Sequence, residues 1–221
     1  MNLFHWMSRR ARAALLLAGC GALAPALSAQ PTLVVLGDSL SAGYGIRVEQ
    51  GWVALLARRL AQQGYGYQLV NASVSGETTE GGLARLPRVL ATHHPQLLIV
   101  ELGANDGLRG LPVEGMRRNL GAIVRAGRAT GARVLLIGTR IPTNYGPQYT
   151  EAYYASFGQL AAREHLPLVP FLLEGIALDE RNFQPDRLHP TAAVQGVLLN
   201  TVWVVLKPLL APPARAAEKA H

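Results

Sequence analysis

Five short apolar runs alternate with longer segments of helical periodicity, and few architectures accept such a chain. The strand-like runs are Thr32 to Leu36, Tyr67 to Val70, Leu97 to Leu102, Arg133 to Gly138 and Leu168 to Phe171. Between them Gly51 to Gln63, Thr79 to Thr92, Val113 to Thr130 and Tyr149 to Glu164 read as helices, and Thr191 to Leu209 reads as a last one. Runs that are apolar at consecutive positions, not at alternate ones, are buried on both faces, and parallel strands joined by helical crossovers create that environment. The expected fold is therefore α/β, a five-stranded parallel sheet covered by helices on both sides. The punctuation agrees: Gly64, Pro95 and Gly131 fall where helices should stop, and Pro112 and Pro147 where new ones can begin. No long linker or repeat interrupts residues 30–210, so one domain is expected there, followed by a Pro- and Ala-rich flexible tail over 211–221.

In such a sheet the ligand site lies beyond the carboxyl ends of the strands, where the strand order switches. The chemically suggestive residues fall at those ends. The first apolar run breaks into Gly37-Asp38-Ser39-Leu40-Ser41, placing a serine hydroxyl on the turn out of the strand. Ser75-Gly76-Glu77 follows the second run and Gly103-Ala104-Asn105-Asp106 the third. Asp186-Arg187-Leu188-His189-Pro190 precedes the last helix and supplies a carboxylate and an imidazole three residues apart. Those are the two partners that make a serine hydroxyl nucleophilic near neutral pH, so Ser39, His189 and Asp186 are the candidate nucleophile, base and orienting acid.

The first thirty residues are set aside before any fold is read. Arg9, Arg10 and Arg12 precede an apolar run from Ala13 to Leu27 that closes on small residues around Ala29, the form of a secretory signal over 1–29. Leu17-Ala18-Gly19-Cys20 also has the form of a lipoprotein cleavage box, which would remove 1–19 and anchor the chain to the membrane through Cys20. Both modes of processing stay open, and both lead to an exported protein, in the periplasm. Cys20 is the single cysteine, so the domain beyond it has no disulfide or cysteine metal site. Without the three signal arginines, 18 basic residues face 14 acidic ones. No basic cluster is interleaved with aromatics, which argues against nucleic-acid binding and leaves a mild attraction to anionic membrane surfaces.

Together the blocks Gly37-Asp38-Ser39-Leu40, Gly76, Gly103-Ala104-Asn105-Asp106 and Asp186-Arg187-Leu188-His189 resemble those of the SGNH (GDSL) hydrolase superfamily. Longer stretches, among them Val70 to Thr78, Gly82 to Pro87, Val100 to Gly110 and Pro142 to Gly146, are similar to its bacterial exported thioesterase I, lysophospholipase and arylesterase subgroup. The resemblance implies a flavodoxin-like three-layer α/β/α domain and an oxyanion hole built from the backbone N–H of Ser39, the backbone N–H of Gly76 and the side-chain amide of Asn105. It implies a serine acyl-enzyme mechanism with no metal or organic cofactor, acting on acyl esters and thioesters of medium to long chains, lysophospholipids and aryl esters. Ala104 departs from the subgroup's usual glycine, which implies at most a slight change in how the loop presents Asn105, and Glu77 from its common aspartate, at a position without a catalytic role in the family. The Gly-x-Ser-x-Gly signature of α/β-hydrolases is absent around Ser39.

Each residue also has a plain structural reading. A serine after a strand caps a helix, and Asn or Asp in Gly-rich loops shapes a turn. The three groups occur together at successive strand ends, which favours the chemical reading. Asp38 and Asp106 are read as loop-shaping, Glu101 as a buried hydrogen-bonding partner, His93, His94 and His165 as helix-terminal cations, and Tyr44, Trp52 and Trp203 as packing. The alternatives are a carbohydrate O-acetylesterase, which the same superfamily contains, and an inactive envelope-anchored binding protein. The first lacks the aromatic abundance of a sugar platform, and the complete set of site residues argues against the second.

Overall fold

In the computed structural model, which describes residues 30–212, every apolar run becomes a strand: β1 Thr32–Gly37, β2 Gln68–Asn71, β3 Leu97–Glu101, β4 Arg133–Ile137 and β5 Leu168–Val169. All neighbouring strands are parallel, in the order β2-β1-β3-β4-β5. The chain moves to one side of β1 to form β2 and returns to the other to form β3, so the switch in strand order lies at β1 and β3. The helices are α1 Ser39–Ala42, α2 Trp52–Gln62, α3 Thr79–His93, α4 Ala104–Leu108, α5 Val113–Ala129, α6 Pro147–Glu164 and α7 Gln195–Leu206. The signal segment, Cys20 and all but the first two residues of the tail lie outside the described residues.

The continuous apolar runs are explained by two cores, one on each face of the sheet. Leu33, Val35, Leu97, Ile99, Leu135 and Ile137 point to the face covered by α2 and α7, where Trp52, Leu56, Leu198 and Val202 meet them. Val34, Leu36, Leu98, Val100, Val134 and Leu136 point to the other face, against Leu86 of α3, Leu120 and Ile123 of α5, and Tyr153 and Phe157 of α6. Every residue of β1 and β3 is buried, as the pleat requires when both faces are covered. Pro112 caps α5 and Pro147 sits in the first turn of α6, as their positions predict.

Two elements end differently from expectation and two short helices are unexpected, each for a local reason. β5 stops after Val169 because Gly138 O accepts the N–H of Leu172 in place of that of Phe171, so the chain leaves the ladder register at Pro170. The last helix is a shorter α-helix flanked by 3₁₀ turns at Ala192–Val194 and Lys207–Leu209, the second containing Pro208. The four- and five-residue helices α1 and α4 fall below the length at which periodicity registers, and both sit at the strand ends that matter most.

Candidate active site

The turn at the end of β1 is made by Asp38. Its side chain accepts the N–H of Leu40 at 3.0 Å and caps α1, so Ser39 is the first residue of a helix that starts at the sheet rim. As a first-turn residue Ser39 has no intrahelical partner for its own N–H. Glu101, the last residue of β3, is fully buried beneath this turn, where one carboxyl oxygen accepts the Ser41 hydroxyl at 2.7 Å and the Asp38 N–H at 3.4 Å. Its other oxygen has no partner among the described residues. Burial first, and the neighbouring Asp38 charge second, push the Glu101 carboxyl well above the usual carboxylate range. Burial likewise raises Asp38 to about 6, against hydrogen bonds from the Leu40 amide and Asn105 that act to lower it.

His189 reaches the turn from a loop 150 residues away in sequence, and its Nε2 lies 2.9 Å from Ser39 Oγ. Its Nδ1 lies 2.7 Å from Asp186 Oδ2. The three-residue spacing works because Arg187 adopts a left-handed conformation, φ 58°, which folds the loop so that Asp186 Oδ1 also accepts the amides of Leu188 and His189 at 2.9 and 3.0 Å. Burial alone would raise the Asp186 carboxyl, but these two amides and the His189 ring outweigh it and hold it at about 2. An ionised carboxylate at Nδ1 favours the tautomer with its proton on Nδ1, which leaves the Nε2 lone pair facing the Ser39 hydroxyl.

The other two strand ends converge on the same turn. Ala72 and Val74 donate their N–H groups to Val35 O and Gly37 O, extending the β1–β2 pairing to the last residue of β1, and Ser75-Gly76 follows directly. Gly76 has φ 80°, and its N–H has no hydrogen-bond partner among the described residues. Its carbonyl accepts a guanidinium N–H of Arg109 at 2.8 Å. Asn105, in the first turn of α4, donates its side-chain amide to Glu77 O at 3.0 Å and to Asp38 Oδ2 at 3.3 Å. Asp106 beside it is buried and accepts both the N–H and the hydroxyl of Thr79 at the start of α3. The structure thus brings together all five predicted site residues, Ser39, Gly76, Asn105, Asp186 and His189, and Asp38, Glu101 and Asp106 take the supporting places expected of them.

Tyr44 is different from its sequence reading. It is 52 % exposed, and its ring lies 4.4 Å from the His189 ring at 38°, so it packs on the site and not in the core. Gln184, which no motif singles out, donates to Tyr44 O at 2.8 Å. The flanking loops are tied to one another, the Tyr145 hydroxyl to Leu108 O at 2.6 Å and the Tyr149 hydroxyl to Leu111 O at 2.7 Å. A hollow of about 620 Å³ between α5 and α6, lined by Arg117, Arg118, Arg125 and Arg163, lies on the flank and includes none of the site residues.

Comparison with known proteins places this arrangement. Residues 35–197 match the GDSL-like Lipase/Acylhydrolase family. The chain is similar to an esterase, TesA, of Pseudomonas aeruginosa, at 51% identity over 89% of this chain and 99% of that protein. It is similar also to thioesterase 1/protease 1/lysophospholipase L1 of Escherichia coli, at 40% identity over 83% of this chain and 86% of that one. Among solved structures, that of TesA superposes with a TM-score of 0.79 at 52% identity, over 81% of this chain and 99% of that chain. The psychrotrophic esterase EstA of Pseudoalteromonas sp. superposes at 0.77 and 39% identity, over 80% and 97%. With a match over most of the domain and relatives of this identity, the chain belongs to the GDSL-like lipase/acylhydrolase family and is an esterase/thioesterase.

Proposed function

We propose that the hydrolysis proceeds through an acyl-enzyme on Ser39, with His189 as general base and then general acid, Asp186 as its orienting carboxylate, and Ser39 N–H, Gly76 N–H and Asn105 Nδ2 as the oxyanion donors. The observation that carries this is the unbroken line from Asp186 through His189 to Ser39 Oγ at 2.7 and 2.9 Å. Nε2 takes the Ser39 proton as Oγ attacks the acyl carbonyl, and returns it to the leaving alcohol or thiol as the tetrahedral adduct collapses. Water then repeats the sequence and frees the acid. The Gly76 conformation leaves an N–H unhindered by a side chain, and an amide is an uncharged donor for the third position. Covalent labelling by a fluorophosphonate probe, abolished in Ser39→Ala, is the expected result; undiminished turnover in that variant would overturn the assignment.

The substrates we infer are acyl esters and thioesters of medium to long chain, including lysophospholipids and aryl esters. Support comes from the names of the relatives and from apolar side chains left open on the strand-end loops, Val74, Leu111, Tyr145 and Leu188. A chain-length series tests this, and activity confined to the shortest acyl groups would contradict it. Export to the periplasm, by a removed signal or with a lipid on Cys20, is read from residues 1–29, and the mass of the mature N-terminus distinguishes the two.

A further inference from the structure

The Asp186–His189 loop is braced internally. Gln184 N–H donates to His189 O at 2.8 Å, Thr191 N–H donates to Asn182 O at 2.8 Å, and Phe183 pairs with Pro190 as an antiparallel bridge. Such bracing fixes the loop's shape but not its placement against Ser39, which sits on another element. Tyr44 and Gln184 span that gap. Tyr44 N–H donates to Ser39 O at 3.1 Å, at the end of the Ser39 turn. Tyr44 O accepts from Gln184 Nε2 at 2.8 Å, and the same Nε2 donates to Pro190 O, next to His189, at 3.2 Å. A continuous path of hydrogen bonds therefore joins the backbone of the nucleophile turn to the backbone beside the base. Gly45 makes room for it: a Cβ there would stand 2.0 Å from Gln184 Oε1, and its φ of +72° is one that glycine adopts without strain.

We propose that Gln184 is a positioning residue: its carboxamide clips the Ser39 turn to the histidine loop and sets His189 Nε2 at bonding distance from Ser39 Oγ. This rests on the reading of Ser39 and His189 as the reacting groups. Proton transfer in the attack depends steeply on that distance, and a displacement on the order of 1 Å can cost about a hundredfold in rate.

The test is Gln184→Met, which keeps length and volume and removes both donated bonds. On a soluble short-chain aryl ester, kcat should fall at least about tenfold with KM within about twofold, and fluorophosphonate labelling should slow in parallel. The thermal midpoint should stay within a few degrees, because the clip is at the exposed rim. In a His189→Ala background the same substitution should cost less than about twofold, since there is no imidazole left to misplace. An unchanged kcat, or an equal loss in both backgrounds, would overturn the proposal, the latter making Gln184 merely structural. Should Gln184→Met not fold, Gly45→Ala displaces the carboxamide with Gln184 intact and is held to the same two comparisons. Full turnover in Ser39→Ala would instead defeat the underlying reading; an inactive Ser39→Ala beside a fully active Gln184→Met would defeat the clip alone.

Discussion

Replacing Asp38 by asparagine should make the protein more stable at neutral pH and less active. Asp38 is fully buried, and burial raises its carboxyl from 3.8 to about 6. In the unfolded chain this group releases its proton near pH 4; in the folded protein it keeps it until about pH 6. Between those limits the native state binds the extra proton, so stability falls as pH rises, by about 1.4 kcal/mol per pH unit. The favourable contribution is complete below the unfolded value and gone above the folded one, a total of roughly 3 kcal/mol. Asparagine is near-isosteric and does not titrate. The stability difference between variant and wild type should therefore move by about 3 kcal/mol in the variant's favour from pH 4 to pH 7. Glu101 adds a slope of the same sign in the wild type, and it weakens once its charged neighbour is gone, which reinforces the trend.

Urea unfolding followed by circular dichroism at pH 4, 5, 6 and 7 measures this directly. For a domain of this size the change amounts to about 6–12 °C in thermal midpoint. Parallel stability curves, or a gap that closes as pH rises, would refute the reasoning. Asp38 uses one oxygen for Leu40 N–H and the other for the Asn105 amide. An amide has one acceptor oxygen in their place, so one of those bonds is lost. Where Asn105 is left with Glu77 O alone, turnover should fall by about tenfold. Stability and activity move in opposite directions because the buried acid is kept at a cost to the fold.

Asn105→Ala should lower kcat by about 10²–10³ with little change in KM, measured by steady-state hydrolysis of an aryl ester, because the proposed mechanism makes the amide it removes an oxyanion donor; a change confined to KM would contradict this. Arg187→Gly should be neutral to stabilising, by up to about 1 kcal/mol in chemical denaturation, since the left-handed backbone suits glycine and the exposed pair with Glu180 contributes little; a clear loss of stability would show that the pair outweighs the backbone strain. Gly138→Ala should destabilise by about 1–3 kcal/mol in the same assay, because its Cβ would stand 2.4 Å from the backbone oxygen of Pro170, which cannot rotate away; wild-type stability would contradict this account of how β4 meets the turn after β5.

The five strands were legible because their apolar runs answer to a two-sided burial that the pleat makes unavoidable: Val34 and Val35 are adjacent in sequence yet feed different cores. The convergence of the candidate residues was legible for a related reason, since strand ends in a parallel sheet share one rim and Ser39 and Asn105 follow β1 and β3, while the Asp186–His189 loop, well beyond β5, is carried to them by the fold. Gln184 and Tyr44 carry no such mark. Gln184 acts through one amide nitrogen that bridges two carbonyls, and backbone carbonyls look alike in any sequence. Tyr44 packs on His189 only because α1 ends after four residues and turns the chain back, a helix too short to leave a periodic trace. Groups that do chemistry are recognisable by type, whereas groups that hold them in place are defined by where the backbone passes. The placement of His189 against Ser39 therefore becomes readable only once the Asp186–His189 loop and the Ser39 turn are seen side by side.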